Sequence, residues 1–340
     1  MKAVILRELG GPESLAYEEA PDPEPGPGET LVRLRAAALN RRDVFVTRGL
    51  YPGARAEALP VILGSDGSGE VVAHGSEDAG GLPPEGSEVV INPALYWGDD
   101  ERIPGRDYRI LGLPDDGTFA QLVKVPSENV FEKPAHLTHE QAAAVPLAAL
   151  TAYRALVTRG NLQPGETVVI PGVGGGVATF LVQLASALGG RVFVTSSSAE
   201  KVEKARELGA EGGVTYEDEN WSRTLREMTG GVDLSVDSVG GEIFDALLAL
   251  ARPGSRIVTF GATASPKVSL TMPRVFLKQL DVLGTAMGTN REFEAMLKLY
   301  SEKGLEPLLD RTFPLEETPA AMNHMEEGSG MGKIVLEIPS

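Results

Sequence analysis

The chain has 340 residues, 42% of them hydrophobic, and a formal net charge of −17. That length accommodates two domains with sizeable cores, and the acidic balance argues against a general binder of nucleic acid or anionic membrane, whose affinity comes from clustered Lys and Arg. No cysteine is present, which removes disulfides, thiol nucleophiles and cysteine-based zinc sites together.

The opening Met1–Gly10 has too short an apolar core for a signal peptide, and the apolar stretch Ala142–Leu150 is too short to span a bilayer. A cytoplasmic protein is the expectation. To about Pro146 the chain reads as β-rich. Lys2–Leu6, Thr30–Ala38, Gly69–Ala73, Glu88–Asn92 and Gln121–Val125 are short strands between Pro, Gly and Asp turns. Tyr96–Leu111 is polar and without periodicity, and reads as a surface lobe. Thr138-His-Glu-Gln141 has capping-box spacing and predicts a helix start.

From Thr151 strands and helices alternate. The predicted strands are Thr167–Ile170, Arg191–Thr195, Gly213–Thr215, Val232–Val236, Ser255–Phe260 and Leu280–Leu283. Val177–Leu188, Ala199–Leu208, Asn220–Met228 and Ile243–Ala251 are the predicted helices. The pattern predicts an α/β fold, a doubly wound parallel sheet of six strands. A helix at Arg291–Ser301 and a strand at Lys333–Ile338 follow. The last strand is expected to rejoin the N-terminal part, giving domains at 1–146, 147–287 and 288–340, the third completing the first.

Gly172, Gly174, Gly175 and Gly176 follow the strand Thr167–Ile170 and open the helix from Val177. Gly172, Gly175 and Ala178 read as G-x-x-G-x-x-A. Glycines in that place let backbone approach a pyrophosphate, and the helix N-terminus offers free N–H groups. The alternative is a tight strand-to-helix turn with no ligand; the βαβ context favours the dinucleotide. The next strand ends in Ser196, Ser197 and Ser198, with no carboxylate before Glu200. Hydroxyls leave room for a 2′-phosphate, Lys201 supplies charge, and Tyr216 adds a hydroxyl. NADP(H) is therefore expected over NAD(H). The serines also suit an ST-turn and N-cap, and Lys201 alone suits a solvated helix face.

The succession of motifs resembles the medium-chain dehydrogenase/reductase superfamily, and within it the zinc-independent branch of quinone-oxidoreductase-like and zinc-type alcohol dehydrogenase-like proteins. The motifs are Met1-Lys-Ala-Val4, Asn40-Arg-Arg-Asp43, Gly49-Leu-Tyr-Pro52, Pro60 to Gly69, Gly117-Thr-Phe-Ala120, Leu150-Thr-Ala-Tyr153, Leu162-Gln-Pro-Gly165, Leu208-Gly-Ala210, Asp237-Ser-Val-Gly240 and Gly332-Lys-Ile-Val-Leu336. The resemblance spans essentially the whole chain. It implies a Rossmann domain plus a β-rich GroES-like catalytic domain.

Zinc-dependent members place a Cys, a His-Glu pair and a second Cys around a metal. The corresponding positions here are Asn40, Ser65-Asp66 and Leu147, so no metal is expected. The resemblance implies that Asn40 and Tyr51 face the reacting cleft as candidate catalytic donors. It also implies that Thr151, Gly240, Phe260-Gly261-Ala262 and Leu283 join Gly172–Gly176, Val177, Ser196, Ser197, Lys201 and Tyr216 in holding the cofactor. Each catalytic candidate has a plainer alternative: Tyr51 packing a loop, Asn40 holding a turn. Without a Lewis acid, hydride transfer suits an acceptor that spreads its own charge, a quinone or an α,β-unsaturated carbonyl. A metal-free, alcohol dehydrogenase-like carbonyl reductase and a non-catalytic NADPH-binding protein are the alternatives. The resemblance also implies a homodimer through the edge strand near Leu283–Thr285, and small-molecule substrates are expected, with neither nucleic acid nor membrane as partner.

Overall fold

The computed structural model describes residues 1–75 and 81–339. They form two compact units, residues 1–148 with 288–340 and residues 149–287. The first begins with strands β1 (Lys2–Leu6), β2 (Leu15–Glu19), β3 (Glu29–Ala38), β4 (Val61–Ile62), β5 (Asp66–His74), β6 (Glu88–Ile91), β7 (Ala94–Leu95), β8 (Arg109–Ile110), β9 (Leu122–Pro126) and β10 (Val130–Glu132). Helices α1 (Arg41–Thr47) and α2 (His139–Ala144) belong with them, and α3 (Pro146–Tyr153) carries the chain onward. The core of this unit gathers Leu6, Leu34, Leu63, Ile91 and Phe119. At α2 the expected box is present. Thr138 Oγ1 accepts from the Gln141 N–H at 3.2 Å, and Gln141 Oε1 accepts from the Thr138 N–H at 3.0 Å.

The segment Tyr96–Leu111, read as a polar surface lobe, carries packed structure of its own. Strands β7 and β8 pair at its neck. Trp97 is buried, and its ring meets Tyr108 edge-on at 5.2 Å. Aromatic packing anchors a segment whose polar composition pointed only to solvent.

The second unit holds β11 (Thr167–Ile170), β12 (Arg191–Ser196), β13 (Gly212–Thr215), β14 (Val232–Asp237), β15 (Ala251–Thr259) and β16 (Asp281–Gly284). Between them lie α4 (Gly176–Ala187), α5 (Ala199–Glu207), α6 (Trp221–Thr229), α7 (Ile243–Leu250) and α8 (Met272–Lys278). The sheet is parallel throughout, in the order β13-β12-β11-β14-β15-β16. This is the six-stranded doubly wound sheet, whose order reverses at β11. Strand β11 is buried at all four residues, as its β-branched run requires of a central strand covered on both faces. Strand β15 starts at Ala251 rather than Ser255, and its register against β14 shifts between Val232 and Leu234. Pro253 and Gly254 are unfavourable inside a strand, and the irregular pairing accommodates them there.

The chain then returns to the first unit through α9 (Asn290–Lys303), β17 (Leu309–Pro314), α10 (Thr318–Glu327) and β18 (Lys333–Glu337). Strand β18 pairs antiparallel with β3 and parallel with β17. The resulting sheet runs β10-β6-β5-β3-β18-β17, with β9 also on β3. The last strand therefore rejoins the N-terminal β-rich part. Among the described residues no helix is long and apolar enough to cross a membrane.

Candidate functional site

The glycine turn sits at the carboxyl end of β11, where the sheet order reverses and open α/β sheets take ligands. Gly174 has φ 153, which a side chain disfavours. The turn is tied to β12. The Gly172 N–H donates to Thr195 Oγ1 at 3.3 Å, and Ser196 Oγ donates to the Val173 carbonyl at 3.1 Å. Gly175 caps α4, Gly176 and Val177 begin it, and no atom lies within 4 Å of where a Gly175 Cβ would stand. The first N–H groups of α4 thus face an open cradle, which fits a pyrophosphate. The Lys201 side chain lies along the turn, its Nζ 3.5 Å from where a Gly174 Cβ would be.

Gly172, Gly174, Gly175, Gly176, Val177, Ser196 and Lys201 are thereby gathered at one place. Ser197 is exposed at the end of β12. Ser198 Oγ accepts from the Lys201 N–H at 3.4 Å, so the N-cap reading of that serine holds. Tyr216 follows β13, its N–H donating to the Ser196 carbonyl at 3.1 Å.

A second group lines up beyond β14 and β15. The Phe260 N–H donates to the Asp237 carbonyl at 3.1 Å, the Thr263 N–H to Ser238 and the Ala264 N–H to Val239. This sets Gly261 and Ala262 alongside Gly240 as one ledge. The Asp237 carboxylate accepts from the N–H groups of Val239 and Gly240. Burial pushes that carboxyl above its ordinary range, opposed by those two bonds. Leu283 lies on β16, three places along the sheet from β11. It stands apart from the glycine turn. Thr151 is buried on α3, its hydroxyl directed at Met287 Sδ, 3.9 Å away.

In the first unit the positions compared above with zinc ligands do converge. They converge on Asp66, which is fully buried. Its Oδ2 accepts from Asn40 Nδ2 at 2.9 Å and from Lys333 Nζ at 3.0 Å. Its Oδ1 accepts from the Leu147 N–H at 2.8 Å. The Lys333 ammonium also donates to Asn40 Oδ1 and the Leu39 carbonyl, both at 2.7 Å. Ser65 Oγ accepts from Arg42 Nη1 at 2.6 Å and donates to the Leu111 carbonyl at 2.8 Å. Asp43 caps α1, its Oδ2 accepting the Asn40 N–H at 2.8 Å. Burial pushes the Asp43 carboxyl up to about 6, with the nearby Arg42 charge opposing. Tyr51 is half-buried, its ring 4.8 Å from the Arg42 guanidinium carbon.

This donor set does not fit a metal ion. Asn40 Oδ1 and Asp66 already hold an ammonium, Ser65 holds a guanidinium, and Leu147 presents an N–H, which repels cations. Among the described residues, no three His, Cys, Asp or Glu side chains meet as a metal site. Local sequence pattern does not mark Arg42 or Lys333 as part of a site. Both are charged residues that composition places at the surface. The available signal was their setting, Arg42 inside the Asn40–Asp43 motif and Lys333 inside an apolar strand.

Residues 26–135 match the model for the alcohol dehydrogenase GroES-like domain, and residues 176–302 match that for zinc-binding dehydrogenases. A zinc-type alcohol dehydrogenase-like protein of Leptosphaeria maculans is 36% identical over 93% of this chain and 92% of its own. A quinone oxidoreductase of Pseudomonas aeruginosa is 32% identical over 98% and 99%. The crystal structure of an NAD-dependent alcohol dehydrogenase superposes with a TM-score of 0.92 at 37% identity, each chain covered in full. With a β-rich GroES-like unit, a six-stranded doubly wound unit and full-length relatives at this identity, the chain belongs to the medium-chain dehydrogenase/reductase superfamily of oxidoreductases.

Proposed function

We propose that this protein is an NADPH-dependent oxidoreductase that reduces a conjugated acceptor, a quinone or an α,β-unsaturated carbonyl compound, without a metal. The observation that carries this reading is the centre on Asp66, where an amide, a hydroxyl and a backbone N–H stand at positions compared with zinc ligands. With no Lewis acid, the acceptor has to delocalise the incoming charge itself, and hydrogen-bond donors suffice to stabilise it. A reduced nicotinamide, when bound, supplies the hydride. Asn40 and Tyr51 are assigned as donors to the acceptor oxygen. Lys333 fixes the Asn40 amide by its oxygen, one N–H rests on Asp66, and the second amide N–H is left to donate.

The cradle at Gly172–Gly176 is assigned to the pyrophosphate, the ledge at Gly240 and Phe260–Ala262 to the nicotinamide half, and Ser196, Ser197, Lys201 and Tyr216 to the 2′-phosphate. Alcohol dehydrogenase-like carbonyl reduction is the second reading, favoured by the likeness to the 37%-identical NAD-dependent alcohol dehydrogenase. One experiment addresses both. Oxidation of NADPH and NADH is followed with quinones, enones, saturated ketones and aldehydes, with and without chelator. The expected result is NADPH-linked turnover of conjugated acceptors, unaffected by chelator. Turnover of saturated ketones alone, or loss of activity on chelation, overturns it. The functional unit is proposed to be a homodimer formed through β16.

A further inference from the structure

Arg42 is buried, with its side chain 7% exposed. Its Nη1 is committed to Ser65 Oγ and the Leu111 carbonyl. Its Nε and Nη2 are buried with no hydrogen-bond partner. These two nitrogens form the side edge of the guanidinium, the fork that grips an oxyanion with two parallel N–H bonds. The carboxylate of Asp43 does not serve it. Asp43 Oδ1 stands 3.7 Å from Nη1, on the other edge, and is itself without a partner.

A buried donor left unmade costs about 1–3 kcal/mol, more when charged. The other buried cation of this centre shows the contrast, for Lys333 donates to three acceptors at 2.7–3.0 Å. The Tyr51 ring stacks on the face of the same guanidinium, its centroid 4.8 Å from Cζ.

We propose that the Nε–Nη2 edge of Arg42 is the oxyanion-binding element of this enzyme, taking the carbonyl oxygen of the acceptor beside Tyr51. The inference rests on the reading of Tyr51 and Asn40 as acceptor contacts, and adds the charged group that reading lacks. A hydride added at the β-carbon of an enone forms a C–H bond, moves the C=C π pair toward the carbonyl carbon, and pushes the C=O π pair onto oxygen. The nicotinamide is oxidised and the acceptor becomes an enolate. Arg42 holds that oxygen through two charge-assisted bonds while the α-carbon takes a proton from water and the C=O bond re-forms. A quinone leaves its charge on the same kind of oxygen.

The test uses the full-length protein with Arg42→Lys, which keeps the charge and loses the fork, and Arg42→Met, which loses both. Steady-state kinetics with 2-cyclohexenone and 1,4-benzoquinone are measured beside NADPH affinity by fluorescence and acrylate binding by calorimetry. Both variants are expected to lose roughly 100-fold in kcat, to bind acrylate at least about tenfold more weakly, and to keep their NADPH affinity. Wild-type kcat and acrylate binding in folded Arg42→Lys overturn the proposal. If Arg42→Met fails to fold, Arg42→Lys decides. If the wild-type protein reduces neither acceptor, the functional reading falls, and acrylate binding still reports on the fork. If Tyr51→Phe and Asn40→Ala both keep full activity while Arg42→Lys loses it, the donor assignment falls and the fork stands.

Discussion

Lys333 shows what one residue does in this molecule. Its ammonium has three acceptors, on a side chain only 3% exposed. One of them, Asp66, is completely buried. A buried ion pair is weak evidence of net stabilisation, but removing one partner leaves an uncompensated charge. Lys333→Met is therefore expected to destabilise the protein by ~3–5 kcal/mol, measured by denaturant unfolding. Adding Asp66→Asn to Lys333→Met is expected to recover most of that loss, because the charge left behind disappears. Equal destabilisation in the single and double variants would show that Lys333 acts by packing its stem rather than through its charge. Neither partner was legible as a pair in the sequence, since they lie 267 positions apart. The pairing of β18 with β3, and of β3 with β5, brings them together.

At the scale of elements, secondary structure is legible in the sequence where hydrophobic pattern and punctuation agree. Strand β11 with its glycine turn, and α2 with its capping box, are of this kind. It is not legible where tertiary contacts decide. Helix α1 has only seven residues and begins Arg-Arg-Asp, and its apolar run Val44-Phe45-Val46 is too short to announce a helix. Asp43 makes it a helix by capping the Asn40 N–H from inside the fold. Helix α8 has no buried residue at all, so no core-facing stripe marks it. The cofactor ledge was traced through motif order and not from local pattern.

The ledge also carries a prediction. Gly240 has φ 69, and a Cβ there would stand 2.5 Å from the Ser265 carbonyl oxygen. Gly240→Ala is expected to cost ~1–3 kcal/mol through backbone strain and to reduce the thermal shift that NADPH produces. A variant with unchanged unfolding and an unchanged shift would remove the ledge from the cofactor site.

At the scale of the whole molecule, the edge at β16 is a surface that the described residues leave bare. Strand β16 pairs with β15 alone, and beside it α8 exposes Met272, Phe276 and Leu277, the last at 74%. Val282 on the strand is exposed as well. An open strand edge beside apolar side chains invites a further strand, and a second copy related by a two-fold axis brings an identical edge. The protein is expected to sediment as a dimer, and Leu277→Glu with Val282→Lys as a monomer. A wild-type monomer at micromolar concentration would rule this interface out.

The place of β18 in the first sheet has a consequence for synthesis. Residues 149–287 emerge from the ribosome as an uninterrupted unit, and such a unit can fold as soon as it is clear. The flanking unit has to wait, its sheet open at β3, until the strand bearing Lys333 has been made. Such a nascent chain would hold a folded second unit while Asp66 still lacks its cation. The centre assigned to the acceptor is therefore complete only once β18 has joined the sheet.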